Sequence, residues 1–184
     1  MKSKNICISI IFLTIFNKSL FCQGYLGGGV IYGENWSFFV SAPNGWIMDS
    51  DSMSKQGIYG LFYEEGKLFG SQYGTPIIYI VPFRLNIPTD EELVKFAQSD
   101  ITGYVSKGAK AMEINKTYAN EKRLYITFDI DLTNGRYETC VFTRNNDCGL
   151  IIILNANNIE QRRDLFQKLS DVVNSIKFMD IIHK

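Results

Sequence analysis

The sequence predicts an α+β fold, a three-layer α/β/α sandwich in which an antiparallel sheet of about six or seven strands packs with two long helices. Three observations support this prediction. Two stretches carry apolar residues at helical spacing behind clear N-terminal caps. Short β-type segments separated by turn residues fill most of the remaining chain. One of these segments is apolar on both faces, and such a strand is normally covered on both.

The 184-residue chain begins with an export-signal pattern. Lys2 and Lys4 precede an apolar run at positions 6–16, which suits a signal peptide and is too short to cross a bilayer. We expect residues 1–22 to be a signal peptide, residues 23–184 to form a single domain, and the mature protein to be periplasmic or secreted. A lipid anchor on Cys22 is disfavoured, because a lipoprotein signal needs a small residue where this chain has Phe21.

Removing the signal peptide takes three lysines from the 19 Lys and Arg residues and leaves all 19 Asp and Glu, for a net charge of −3. This balance argues against a nucleic acid as partner, because binding to a phosphate backbone needs a basic surface. The longest later apolar run is only strand-sized, so no transmembrane segment is expected in the mature chain.

The first half of the domain is predicted to be strands up to a helix start. Segments 37–42, 46–49, 57–63 and 76–85 have β-type composition, and turn residues at Pro43-Asn44-Gly45 separate the first two. In the last segment, Ile78 and Ile80 point to one face, and Ile77, Tyr79, Val81 and Phe83 to the other. Pro82 argues against a wholly central position for this strand, because proline cannot donate to a ladder.

Both helices have caps that can be read from the sequence. Thr89 and Glu92 form a capping box, and the apolar spacing that follows predicts a helix that ends at Gly108. The second helix is predicted over residues 159–179, with Asn158 as its N-cap. Between the helices, segments 111–118, 123–131, 136–143 and 148–155 read as strands, and Asn134-Gly135 is a strong hairpin turn.

Cys140 and Cys148 are the two cysteines left after signal cleavage. In an oxidising compartment such a pair is often bridged, and we expect a disulfide here, which requires a wide, irregular loop over residues 141–147. The alternative is two free structural thiols, because a tight turn would place the two side chains on different faces.

The segment that reads FFVSAPNGW carries a resemblance to a known family. Its Phe38, Val40, Pro43, Gly45 and Trp46 match the F-x-V-x-x-P-x-G-W signature of the PsbP-like family, and the order of elements is similar over most of the mature chain. The family includes an extrinsic photosystem II subunit, a Ran-binding nuclear transport factor and the bacterial periplasmic DcrB proteins. The resemblance implies an antiparallel-sheet α/β/α sandwich and a non-enzymatic, partner-binding role.

The candidate binding residues are Trp46 and six residues from Asp49 to Glu65. Asp49 and Asp51 begin like a calcium loop, although Ser54 stands where such a loop needs glycine and Gly60 where it needs glutamate. Aromatic residues and acids could line a recognition groove, and packing in the core is the competing interpretation. The full candidate set is Trp46, Asp49, Asp51, Tyr59, Tyr63, Glu64 and Glu65.

Catalytic chemistry finds little support in the sequence. The only histidine is His183, next to the C-terminus, which argues against Ser–His–Asp catalysis and histidine zinc sites. Asp129 and Asp131 are interpreted as an exposed strand face, and the glycine-rich residues 25–29 as a flexible leader. No catalytic residue, metal or cofactor is therefore expected.

The sequence favours an exported, non-enzymatic binding module for another envelope or secreted protein. It would act as an inhibitor or immunity-type protein, or as an accessory subunit of an envelope assembly. The alternative is a periplasmic protein that binds a small ligand or calcium through residues 49–65.

Overall fold

The computed structural model describes residues 27–33, 36–50, 54–68, 74–119 and 123–179. The predicted signal peptide and Asp51 lie outside this part of the chain. The elements are, in chain order, β1 Gly29–Tyr32, β2 Ser37–Val40, β3 Trp46–Asp49, a 3-10 turn Ser54–Gln56, β4 Gly60–Glu64, β5 Ile77–Arg84, α1 Asp90–Ser106, β6 Lys110–Ala119, β7 Arg123–Asp131, β8 Tyr137–Asn145, β9 Cys148–Ala156, α2 Ile159–Ser175 and β10 Lys177–Met179. The predicted α+β class and its three layers are confirmed.

A seven-stranded antiparallel sheet forms the middle layer, in the order β3-β4-β5-β9-β8-β7-β6. Its third strand, β5, is apolar on both faces as predicted, with Ile78 and Ile80 in the core under α2 and Tyr79 packed on the core under α1. Pro82 pairs with Leu150 of β9, but β4 begins at Gly60, opposite Ile80. Proline is therefore tolerated in this strand, because β4 does not extend alongside it.

Helix α1 covers one face of the sheet, against β6, β7 and β8. The hydroxyl of Thr89 accepts a hydrogen bond from the Glu92 N–H at 3.2 Å, which confirms the predicted cap. Leu93, Ala97 and Ile101, spaced at one helical turn, are its buried side chains. The C-terminal end follows from Gly108, whose φ of 92° is accessible to glycine without strain.

Helix α2 lies over the opposite face, mainly against β9, with Asn158 as its N-cap. It ends at Ser175, so the predicted extension to Met179 is wrong. Ile176 is already extended, and Lys177–Met179 pair with β2 as β10. The reason is tertiary, because the extended chain packs Phe178 against Phe38, with ring centroids 6.0 Å apart.

A second, three-stranded sheet of order β1-β2-β10 lies on the same side as α2 and shares its core. Ile31 and Phe38 are buried in this core against residues of the large sheet. The interpretation of residues 25–29 as a flexible leader is wrong at Gly29, which begins β1 opposite Val40. Strands as short as β1 and β10 need a partner strand, and β2 pairs with β1 on one edge and with β10 on the other.

The expected disulfide is not formed, and both Cys140 and Cys148 are free and buried. The turn of the β8–β9 hairpin is tight, because Asn145 pairs with Cys148 and only two residues connect the strands. Asn146 has a φ of 52°, which asparagine tolerates in such turns. This register places Cys140 in the core under α1 and Cys148 in the core under α2, on opposite faces of the sheet.

Candidate functional site

A cleft of about 610 Å³ opens between the first turns of α2 and the end of the sheet at β3 and β4. Its walls come from four parts of the chain: the turn that precedes β3 with Trp46, the end of β4 and the turn after it, the segment that leads into β5, and the first turns of α2. The lining residues are Asn44, Gly45, Trp46, Glu64, Lys67, Gly74, Thr75, Pro76, Gln161, Asp164, Leu165 and Lys168.

Trp46 forms the apolar base of this cleft together with Leu165. The turn before it is closed by a hydrogen bond from the Trp46 N–H to the Pro43 carbonyl at 3.0 Å, and Gly45 adopts a φ of 78° that favours glycine. Trp46 is 5% exposed and belongs to the core under α2. Its indole is therefore held in place by the core, and the residue exposes only a small part of its surface.

Glu64 lies directly opposite Trp46 in the β3–β4 ladder, which places two predicted site residues side by side. The strand pair continues into a turn, in which the Glu65 N–H donates to the Gly45 carbonyl at 3.0 Å. The Lys67 N–H then donates to the Glu64 carbonyl at 3.1 Å. These bonds fix the backbone from which Glu64 and Lys67 extend into solvent.

The wall formed by α2 is tied to the rest of the cleft at two points. The ammonium group of Lys168 donates to the Asn44 carbonyl at 2.8 Å, so the helix is joined to the turn before Trp46. Before the helix, the amide of Asn157 donates to the Gly74 carbonyl and to Gln161 Oε1. The cleft is thus held open by bonds between elements that are distant in sequence.

The cleft combines apolar, aromatic and charged groups. Its rim carries two acids, Glu64 and Asp164, and two bases, Lys67 and Lys168, around the Trp46 base. Rigid aromatic area surrounded by polar and charged groups is typical of protein recognition sites.

The other predicted site residues do not join this cleft. Asp49 is 3% exposed at the far end of β3, opposite Leu61, and Tyr63 is buried opposite Ile47. Tyr59 packs edge-on against Trp36, with ring centroids 5.5 Å apart. Glu65 is exposed in the turn after β4 but is not among the residues that line the cleft.

The calcium hypothesis stays a prediction, since Asp51 lies outside the described residues. Within the described part of the chain, no three His, Cys, Asp or Glu side chains lie close enough together to hold a metal ion.

A buried polar cluster under α1 was not predicted from the sequence. Glu138 is 5% exposed on β8, its Oε1 accepts from the amide of Asn155 at 2.6 Å, and Tyr104 of α1 belongs to the same cluster. Within the described residues, Glu138 Oε2, Asn155 Oδ1 and Arg136 Nε have no hydrogen-bond partner. The available signal was the strand pattern, which places Glu138 on the same face as Cys140 and Phe142.

Burial controls the protonation of this cluster. It raises the pKa of Glu138 above its usual value of 4.5, and the hydrogen bond from Asn155 and the nearby hydroxyl of Tyr104 offset only part of this effect. Burial also raises the pKa of Cys140 and of Tyr79. The cluster therefore favours uncharged side chains and offers no thiolate or phenolate nucleophile near neutral pH.

We expect Glu138→Gln to flatten the pH dependence of stability. A carboxyl whose pKa rises on folding contributes stability below its unfolded value, about 4.5 for Glu138, and loses that contribution as the pH rises through the folded-state pKa. The variant should therefore gain stability relative to the wild type as the pH rises from about 4.5. Urea unfolding at a series of pH values measures this difference, and a difference independent of pH would contradict the prediction.

Asp129 also differs from the prediction of an exposed strand face. It points towards α2 and forms an ion pair with Arg162, with Nη2 3.1 Å from Oδ2 and both side chains largely buried. Thr139 donates to its other oxygen at 2.7 Å. Asp131, two residues later, is exposed as predicted.

Comparisons with known proteins support the fold. No protein-family model and no curated protein matches the chain. Among solved structures, the chain is similar to cyanobacterial PsbP (CyanoP) from Synechocystis sp. PCC 6803, with a TM-score of 0.55 and 15% identity over 85% of this chain and 95% of that chain. It is also similar to the Ran-binding protein Mog1p of Saccharomyces cerevisiae, with a TM-score of 0.52 and 12% identity over 85% of this chain and 97% of that one. At these identities the likeness concerns the fold alone, and the predicted PsbP-like fold is confirmed.

Proposed function

We propose that this protein is an exported, non-enzymatic module that binds another protein of the envelope or the secreted fraction, and that the cleft at Trp46 is its recognition surface. The observation that carries the proposal is the cleft itself, with a rigid indole at its base and four charged side chains at its rim. The N-terminal signal pattern supports export. The Ran-binding Mog1p, which has a similar fold, supports a role in protein binding.

The cleft defines the chemistry of the partner. An apolar side chain fits against Trp46 and Leu165, and charges of both signs beside it meet Glu64, Asp164, Lys67 and Lys168. Such complementarity governs specificity and the association rate more than the total affinity. No helix in the described part of the chain has the length and apolar character needed to cross a membrane.

We expect charge reversal at the rim, Glu64→Lys combined with Asp164→Lys, to weaken partner capture about tenfold or more, because like charges then face the partner's basic groups. Both positions are exposed, so the fold should be retained. The measurement is quantitative capture from envelope extract on the immobilised protein, with bound proteins identified by mass spectrometry.

Asp131→Lys combined with Asp171→Lys is the matched control, since it makes the same total charge change at two exposed positions that do not line the cleft. It should capture the same protein as the wild type. Equal capture by the rim variant and the control would contradict the assignment of the cleft.

The size of the cleft also favours a second candidate function, because small-molecule sites commonly measure about 300–1,000 Å³. In that case the protein would enrich no macromolecule from the extract and would instead retain a metabolite, detected in the denatured eluate. The same rim variant then distinguishes a ligand in this cleft from one elsewhere.

A further inference from the structure

Strand β6 is the long open edge of the seven-stranded sheet. It runs from Lys110 to Ala119, and among the described strands it has a neighbour, β7, on one side only. Ten extended residues span about 33 Å, so a long row of backbone donors and acceptors faces outward. Two large apolar side chains are exposed on this strand, Met112 at 62% and Ile114 at 40%.

A bulge in β6 changes which charged side chains share a face. Glu113 lies opposite Phe128 and Lys116 opposite Ile126, and the register shifts between Glu113 and Asn115. Phe128 and Ile126 both point into the core under α1, so Glu113 and Lys116 project on that same face of the sheet. In a regular strand, residues three apart would lie on opposite faces.

This pattern is complementary to itself. If a second copy pairs antiparallel about a two-fold axis between Ile114 and Asn115, Glu113 faces Lys116 of the other copy, and Lys116 faces Glu113. Met112 then faces Thr117 of the other copy. Both strands carry the same bulge, so the pairing of the two copies stays in register on both sides of it. A shift of one residue in either direction removes both charge pairs.

We propose that β6 is a homodimer interface, in which two copies join edge to edge into one continuous antiparallel sheet with two Glu113–Lys116 pairs. Backbone hydrogen bonds along the strand provide the attraction, and the charge pairs select the register. The partner covers Met112 and Ile114. This surface is separate from the cleft at Trp46, and its test is independent of the proposed function.

Sedimentation velocity on the purified protein tests the proposal with a charge-swap series. The wild type should be a dimer. Glu113→Lys or Lys116→Glu alone places like charges opposite each other at both pairs and should raise the dissociation constant at least about tenfold. The double variant E113K/K116E restores both pairs and should dimerise as the wild type does.

Mixing the two single variants provides the sharpest outcome. The Glu113→Lys variant carries lysine at both positions and the Lys116→Glu variant carries glutamate at both, so the mixture should form heterodimers although each variant alone is weakened. Arg163→Glu, an exposed charge reversal on α2, should leave the dimer intact. A monomeric wild type would overturn the proposal and identify the lysines and the bulge as protection of a free edge. A dimer unaffected by both single variants would place the interface elsewhere.

Discussion

Replacing Gly149 by alanine should destabilise the fold by about 2 kcal/mol, because it overpacks the core under α1. A Cβ at Gly149 would lie 2.2 Å from the nearest ring carbon of Phe83, its partner in the β5–β9 ladder. Moving that ring would disrupt its stacking on Phe96 of α1, in which the centroids lie 3.8 Å apart and the planes 5° from parallel. The strain would therefore be transmitted to the contact between α1 and the sheet.

Gly103→Ala is the matched control for this effect, since the same methyl group is added where it meets no atom within 4 Å. Gly103 lies inside α1, where alanine is favoured over glycine by about 0.5–1 kcal/mol. The urea concentration at the midpoint of unfolding, measured by circular dichroism, should therefore fall for Gly149→Ala and rise for Gly103→Ala. A loss of stability in both, or in neither, would contradict the packing described at Gly149.

Arg162→Met should cost about 2 kcal/mol or more, because it removes the cation from a largely buried ion pair and leaves the Asp129 carboxylate uncompensated. The guanidinium of Arg162 also lies 5.7 Å from the ring centroid of Tyr137, so its loss removes a cation–π contact. Both effects weaken the attachment of α2 to the sheet.

The double variant D129N/R162M separates the charge from the packing. Asparagine keeps an acceptor for the Thr139 hydroxyl, which donates to Asp129 at 2.7 Å, and it carries no charge to be compensated. In urea unfolding, the double variant should recover most of the stability that Arg162→Met loses. If the double variant is as unstable as Arg162→Met, the loss arises from packing and the ion pair contributes little.

Features that depend on neighbouring residues could be predicted from the sequence. The start of α1 follows from Thr89 and Glu92, and the range of β7 follows from its strict alternation of apolar and polar residues. The end of α2 could not be predicted, because residues 177–179 can continue the helix locally. Pairing with β2, about 140 residues earlier in the chain, makes these residues a strand instead of the end of the helix.

Only residues on the strand side of the candidate site were predicted from the sequence. Trp46 and Glu64 belong to adjacent strands, so both fell within the predicted region. Asp164, Leu165 and Lys168 come from a helix whose position over the turn at Asn44 depends on tertiary packing. The cysteine pair shows how sensitive such predictions are to register, since the width of one turn decides whether two side chains meet or lie on opposite faces.

The position of β10 also has a consequence for the order of folding. Phe38 of β2 is completely buried, and Phe178 of β10 forms part of its cover. The N-terminal strands therefore stay incompletely covered until the C-terminal end of the chain is available to pair with them. Closure of this small sheet is a late event, and a chain that stops at residue 176 would leave the aromatic ring of Phe38 without its last neighbour.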